Sequence, residues 1–422
     1  TVGVVVAGTL FATPVYATEG YFQVGAGARQ KAMAGAGVAD SADATALSLN
    51  PAGLVHSDHN FTLSASIFVP DRGFTGSGGP SFTPAGEVEG NESAFFVIPN
   101  IAWSREWGEN GAVGVTLYGN GGMNSDYAAV TNPACAQPGL PATNGVFCGG
   151  ELGVNLNQAF ISVGYAAEYE NFSWGIAPIF ALQMFEAKGL AAFGGVTSDP
   201  ANLTNNDTDV STGFGIKIGA QWDITDTFRI GGAYQPKINM SEFDDYAGLF
   251  ADQGDFDIPA NFQVGASFDV SPEFTVSLDY RNISYEDVGS IGNSGLIPLP
   301  FGSTNGPGFS WKDVDAYKIG AEWNGENGWT WRGGFAHNNN PIGGSDVTLN
   351  ILAPGVVTDH FTGGFEKTLE GGHAIEAAFM YAPEVTVSGI EITPQGPNPG
   401  HTVELGMSQF EFTLGWKYQF GR

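Results

Sequence analysis

What most constrains this chain is a hydrophobic alternation of period two that recurs along it from residue 58 onward. Over 261–270, Phe262, Val264, Ala266, Phe268 and Val270 alternate with Asn261, Gln263, Gly265, Ser267 and Asp269. Successive side chains of a strand point to opposite faces, so such a stretch is a strand with one apolar and one polar face. The same pattern runs through 214–222, 274–281 and 410–420. Fourteen strands are read in this way, near 58–70, 94–107, 112–122, 154–169, 172–187, 211–223, 227–241, 260–270, 274–287, 313–323, 329–338, 358–368, 373–387 and 406–420. A soluble sandwich also alternates, so the connections decide. Long segments (71–93, 123–153, 188–210, 242–259, 288–312, 339–357, 388–405) alternate with short turns such as Gly108-Glu109-Asn110-Gly111, Glu170-Asn171, Ser271-Pro272-Glu273 and Glu370-Gly371-Gly372. That rhythm fits an all-β, 14-stranded antiparallel transmembrane β-barrel, with loops outside and turns in the periplasm of a Gram-negative bacterium.

Lipid on the outer face accounts for the composition. Only 14% of residues are charged, against roughly a quarter in soluble domains, while aromatics reach 13%. Trp174, Trp222, Trp323, Trp331, Trp416, Tyr234 and Tyr280 are expected in the two aromatic girdles, with small, polar and charged side chains facing the lumen. A net charge of −29 excludes a general nucleic-acid binder, which needs a basic surface. The apolar run 1–17 (TVGVVVAGTLFATPVYA) reads as a secretory signal remnant, with small residues at Val15 and Ala17. No later apolar run is long enough for a transmembrane helix.

Cys135 and Cys148 share one Gly/Pro/Asn-rich segment of an exported chain, and a disulfide closing that loop is expected. Zinc fits poorly there, because no His or second Cys pair sits at ligand spacing. The six histidines show no metal spacing and no Gly-x-Ser-x-Gly partner, so neither enzyme, cofactor nor metal is expected. The carboxylates Asp199, Asp207 and Asp209, and Asp244, Asp245, Asp252, Asp255 and Asp257, read as solvated acidic loops.

Residues 18–57 do not alternate. They are rich in Gly, Ala and Ser, and a 14-stranded barrel leaves a lumen that its own side chains do not fill. The run from Gly25 to Ala36 (GAGARQKAMAGA), then Asp40 and Asp43, then Asn50-Pro51-Ala52-Gly53-Leu54 resembles the N-terminal hatch of the FadL/TodX/OmpP1 family of outer-membrane transporters. Ile258-Pro259-Ala260-Asn261-Phe262, Phe309-Ser310-Trp311-Lys312-Asp313, Asp315-Ala316-Tyr317-Lys318-Ile319 and Trp329-Thr330-Trp331-Arg332-Gly333-Gly334-Phe335 extend the likeness over nearly the whole mature chain. The resemblance implies a hatch at 18–57, with Arg29, Met33, Asn50, Pro51 and Ala52 in its motifs, inside a barrel at 58–422. It also implies passive, hatch-gated uptake of hydrophobic molecules, long-chain fatty acids or aromatic or aliphatic hydrocarbons, with lateral release into the bilayer. Three features depart from the family pattern. Met33-Ala34-Gly35 stands where two glycines usually follow Met, Gly421-Arg422 follow the last aromatic, and the balance is unusually acidic.

Gly119, Gly121 and Gly122 in the third strand are the expected kink for a lateral opening, since glycine in a strand marks a bulge or close approach; the alternative is that they begin the long loop. Head-group candidates are Lys312 first, then Lys188, Arg281 and Lys318. Against this stands the expectation that lumenal cations pair with Asp269, Asp279, Glu322, Glu366, Glu376 and Glu411 and hold the hatch. Partners are expected to be hydrophobic small molecules, outer-membrane lipid and lipopolysaccharide, with the protein a monomer. Two other readings are a barrel whose acidic loops bind a partner or ions, and a general diffusion porin; small residues filling the lumen argue against the porin.

Overall fold

The structure is a computed structural model that describes residues 19–57, 59–79, 81–136, 142 and 144–420; the expected signal remnant lies outside them. Its strands are β1 (Asn60–Gly78), β2 (Gly86–Glu89), β3 (Phe96–Glu106), β4 (Gly111–Tyr127), β5 (Leu152–Tyr169), β6 (Phe172–Lys188), β7 (Asp209–Thr225), β8 (Phe228–Gln235), β9 (Asn261–Ser271), β10 (Phe274–Ile283), β11 (Val314–Asn324), β12 (Trp329–Asn338), β13 (Asp359–Thr368), β14 (His373–Thr393) and β15 (Gly396–Gln419). Short β2 pairs only with the extracellular end of β1. The other fourteen pair antiparallel in chain order, and β15 closes on β1 from Asn60↔Gln419 to Gly78↔His401. Closure satisfies backbone groups that lipid cannot.

The period-two pattern sets the faces. Phe214 is 79% and Tyr317 61% exposed, which places their side of each strand outward. Inward neighbours bond one another, as in Ser66 Oγ to Thr413 Oγ1 and Ser267 Oγ to Ser277 Oγ, both at 2.7 Å. The sequence reading is corrected in two places. In the extracellular half the inward face is apolar rather than polar: Leu152, Leu156, Phe160, Ile179 and Phe185 point into the lumen and pack against loop residues Phe147, Phe243, Tyr246 and Phe250. The stretch 388–405 is largely strand, not a long loop, because β14 and β15 continue outward past two register shifts to a tight turn at Thr393↔Gly396. The Cys135–Cys148 disulfide is present.

Residues 19–57 lie within the ring. A helix at Gly27–Ala32, a turn of helix at Ala46–Leu49 and a 3₁₀ helix at Pro51–His56 shape them. Asn50 caps the last, accepting from Ala52 N at 3.0 Å, with Pro51 in the first position, where a missing N–H costs nothing.

Candidate functional site

The wall is built to receive this segment. On many strands the inward position at its level is glycine. A Cβ at Gly164 would collide with Leu47, at Gly175 with Pro51, at Gly219 with Asn50, at Gly231 with Val38 and at Gly334 with Met33 and Ala34. Gly175, Gly231 and Gly334 let the segment's backbone approach the wall closely, and Gly164 and Gly219 make room for the side chains of Leu47 and Asn50. Sequence reasoning passed over them, although their position on the polar parity of the strands was a usable signal. Gly175→Leu should therefore expel the segment from the periplasmic end and make cells sensitive to large hydrophilic antibiotics. Gly333→Leu, whose Cβ meets only Thr362 O at 3.8 Å, should leave the barrel sealed. Equal sensitivity of the two strains would refute the cradle.

Ion pairs reinforce the fit. Arg29 reaches Asp40 at 2.9 Å and Glu322 at 3.1 Å, and Glu322 is shared with Arg332 at 2.6 Å. Arg332 also meets Glu366 at 2.8 Å and Glu376 at 3.5 Å, and Lys417 meets Glu366 at 2.7 Å. Arg229 bridges Asp269 at 2.8 Å and Asp40 at 3.4 Å, and Lys31 pairs with Glu411. Asp279 accepts from the backbone N–H of Gly37 and Val38, each at 2.9 Å. Asn50 Nδ2 donates to Val38 O at 2.7 Å and to Ala220 O at 3.1 Å. Ala34, at the departure from the two-glycine pattern, has φ of 53° beside Gly35 at 71°. It sits in the left-handed region that glycine occupies without steric cost.

Between β3 and β4 the wall is interrupted. Pairing of β3 with β4 stops at Asn100↔Tyr118, although β4 runs on to Tyr127 and stays paired with β5. Its register shifts between Gly119 and Gly121, leaving Asn120 as a bulge. The freed edge of β4 is taken by the segment near the bulge, where Gln23 N donates to Asn120 O at 3.0 Å, Gly122 N to Tyr21 O at 2.9 Å, and Phe22 bridges Gly121; further out, Asp126 N donates to Gly90 O and Asp126 O accepts from Glu92 N, each at 3.1 Å. A Cβ at Gly121 would overlap Tyr21 O.

The head-group candidates do not converge. Lys312 is exposed outside the barrel and paired with Glu286 at 2.6 Å; that hydrogen bond holds its ammonium above the usual lysine value. Lys188 is at the extracellular rim with Asp126 at 2.7 Å and Glu151 at 3.4 Å. Only Arg281 and Lys318 come together, deep in the lumen and on a partner that the sequence reading missed, Glu19. Glu19 could have been noticed as a lone carboxylate at the head of a small-residue segment. His56, Glu168 and Asp223 bring ligand-capable atoms within 4.8 Å of one another. Chain spacing concealed this grouping, because strand pairing creates it.

Among the loops lies a groove of about 520 Å³, lined by Phe193, Leu296, Leu299, Pro300, Phe301 and Leu349 among others. Such concave apolar surface is where a small hydrophobic molecule leaves water.

A closed ring of antiparallel strands, greasy outside and filled by its own N-terminal segment, defines a plugged outer-membrane β-barrel. The chain belongs to the outer membrane protein transport protein family (OMPP1/FadL/TodX), whose profile matches residues 4–420. A FadL homologue from Pseudomonas aeruginosa is similar in fold, with a TM-score of 0.67 at 16% identity over 95% of this chain and 100% of that one. The toluene transporter TodX of Pseudomonas putida gives 0.66 at 15% identity over 96% and 100%. The toluene transporter TbuX of Ralstonia pickettii gives 0.63 at 19% over 94% and 99%. No curated protein matches.

Proposed function

We propose that this protein carries hydrophobic molecules passively across the outer membrane and releases them sideways into the bilayer. The observation that carries the reading is the β3–β4 ladder that ends at Asn100↔Tyr118 while the lumen beneath is filled by residues 19–57. With the axial route filled and one side of the wall unpaired, the route open to an apolar molecule is lateral. The loop groove collects it, the apolar upper lumen receives it, and displacement of the N-terminal hatch clears the gap. A lateral exit spares a hydrophobic solute the periplasmic water. The groove at Leu296 and Leu299 and the gap at Gly119, Gly121 and Gly122 are the working parts, in a monomer set among outer-membrane lipid and lipopolysaccharide. A diffusion porin has no use for such a filling.

The test is uptake of radiolabelled palmitate and hexadecane by a Gram-negative host that lacks such a transporter. Expression of this chain should raise both above the empty-vector rate. Leu296→Asp with Leu299→Asp should lower them at least about tenfold, since about 1.4 kcal/mol is tenfold and two apolar side chains, each 47% exposed, become charged. Uptake at the empty-vector rate with the parent chain would sink the proposal.

A further inference from the structure

We propose that His56, Glu168 and Asp223 form a site for a divalent transition-metal ion, zinc by the chemistry of its donors, at the periplasmic mouth of the barrel. This goes beyond the uptake reading and does not depend on it. One ligand-capable atom from each residue lies within 4.8 Å of the other two. His56 ends the 3₁₀ helix of the hatch, Glu168 stands near the end of β5, and Asp223 near the end of β7. The ladder brings the wall residues together. Glu168 pairs with Ser173 of β6, and Ser173 with Gln221 of β7, two residues before Asp223. Cross-strand partners and i, i+2 neighbours share a face, so all four look into the lumen beside His56.

The donor set selects the ion. Calcium and magnesium take shells of oxygen, whereas one imidazole with two carboxylates suits zinc, which accepts three protein ligands and leaves a further position to water. Zinc–donor bonds of about 2.0–2.2 Å put the donors of a tetrahedron roughly 3.4 Å apart. The three side chains therefore close by no more than about 1.5 Å, within the reach of rotation at a half-buried rim.

The surroundings hold the donors in place. Ser173 is 1% exposed, and its Oγ lies 3.3 Å from His56 Nε2, an outer contact of the kind that orients a metal-binding imidazole. Asn171 fixes the backbone of Asp223, with Asp223 N donating to Asn171 O at 2.8 Å and Asn171 Nδ2 to Asp223 O at 2.9 Å. Gln221 is 3% exposed; its Nε2 donates to Asp223 Oδ1 at 3.4 Å, while Oε1 of the same amide has no protein partner. A buried acceptor left open beside the carboxylate is what a metal-bound water would donate to. Arg229, across the ladder from Asp223, is turned to Asp269 and Asp40 instead. Two carboxylates so placed are relieved by a cation. Bound there, the ion ties the last turn of the hatch to two strands of the wall.

The test uses the full chain folded in detergent without an affinity tag, checked by heat-modifiable migration, stripped with EDTA and titrated with zinc chloride in a calorimeter. The parent should bind one zinc per chain in a saturable step. His56→Ala and Asp223→Asn should each weaken it at least about tenfold, and Ser173→Ala about tenfold through the ring it holds. His59→Ala, which removes the neighbouring histidine paired with Glu106, should bind zinc as the parent does. In the parent, zinc should also slow amide hydrogen exchange at Leu54, Val55 and His56, a readout that needs no variant. Absence of saturable binding, an affinity unmoved by His56→Ala and Asp223→Asn, an equal loss with His59→Ala, or slowing confined to the extracellular loops would each overturn the site.

Discussion

Deleting residues 19–57 is expected to convert a nearly silent barrel into one that conducts ions in planar bilayers. A ring of fourteen strands encloses more space than its inward side chains fill, and many of the inward positions at the segment's level are glycine, leaving room for its backbone and side chains. Removal leaves a channel lined by hydrated Glu322, Arg332, Glu366 and Asp279, which no longer needs the segment's partners to satisfy it. The deletion also takes Tyr21 and Phe22 out of the apolar cluster that joins the lumen to the loops, so the upper seal loosens with the lower one. The measurement is single-channel conductance of parent and deletion variant at the same salt. Unchanged conductance would assign the seal to the loop cluster around Phe243, Tyr246 and Phe250 and take the gating role from the segment.

The strands were legible because period two is a local property that lipid on one face enforces without exception along the lower barrel. At Leu156, Phe160 and Phe185 the pattern misled, since a second apolar environment, the inward-folded loops, lies on the lumenal side. Both faces are then greasy, and alternation carries no information about which is which. The extended β14–β15 hairpin was hidden for a related reason: outside the membrane neither face must be apolar, and only pairing defines the strand. At the site, Gly119, Gly121 and Gly122 could be singled out because glycine in a strand is costly without a purpose. Glu19 could not be matched to Arg281 and Lys318, which lie about 260 to 300 positions further along. Contacts across such separations are set by barrel closure and leave no trace in spacing. Lys312 misled in the opposite sense: a lysine in a family-like stretch faces water and pairs with its neighbour in space, Glu286.

Arg332→Met should be among the most destabilising single substitutions in the barrel, at about 3–5 kcal/mol. The side chain is only 4% exposed and reaches Glu322, Glu366 and Glu376. Without it these carboxylates face one another in a space that Lys417 and Arg29 serve only at the edges. Arg332→Lys should rescue little, because a point charge cannot span partners that a planar fork of donors serves together. Lys312→Ala, at an exposed pair, should cost under about 1 kcal/mol. The urea midpoint of the folded, heat-modifiable form checks each. The informative variant is Arg29→Met with Arg332→Met, since both guanidiniums share Glu322. If the segment is held through that carboxylate, the double loss should depart from the sum of the singles by roughly 0.5–3 kcal/mol. Strict additivity would mean that Arg29 is secured by Asp40 within its own segment, and that the wall network stands independently of what fills the lumen.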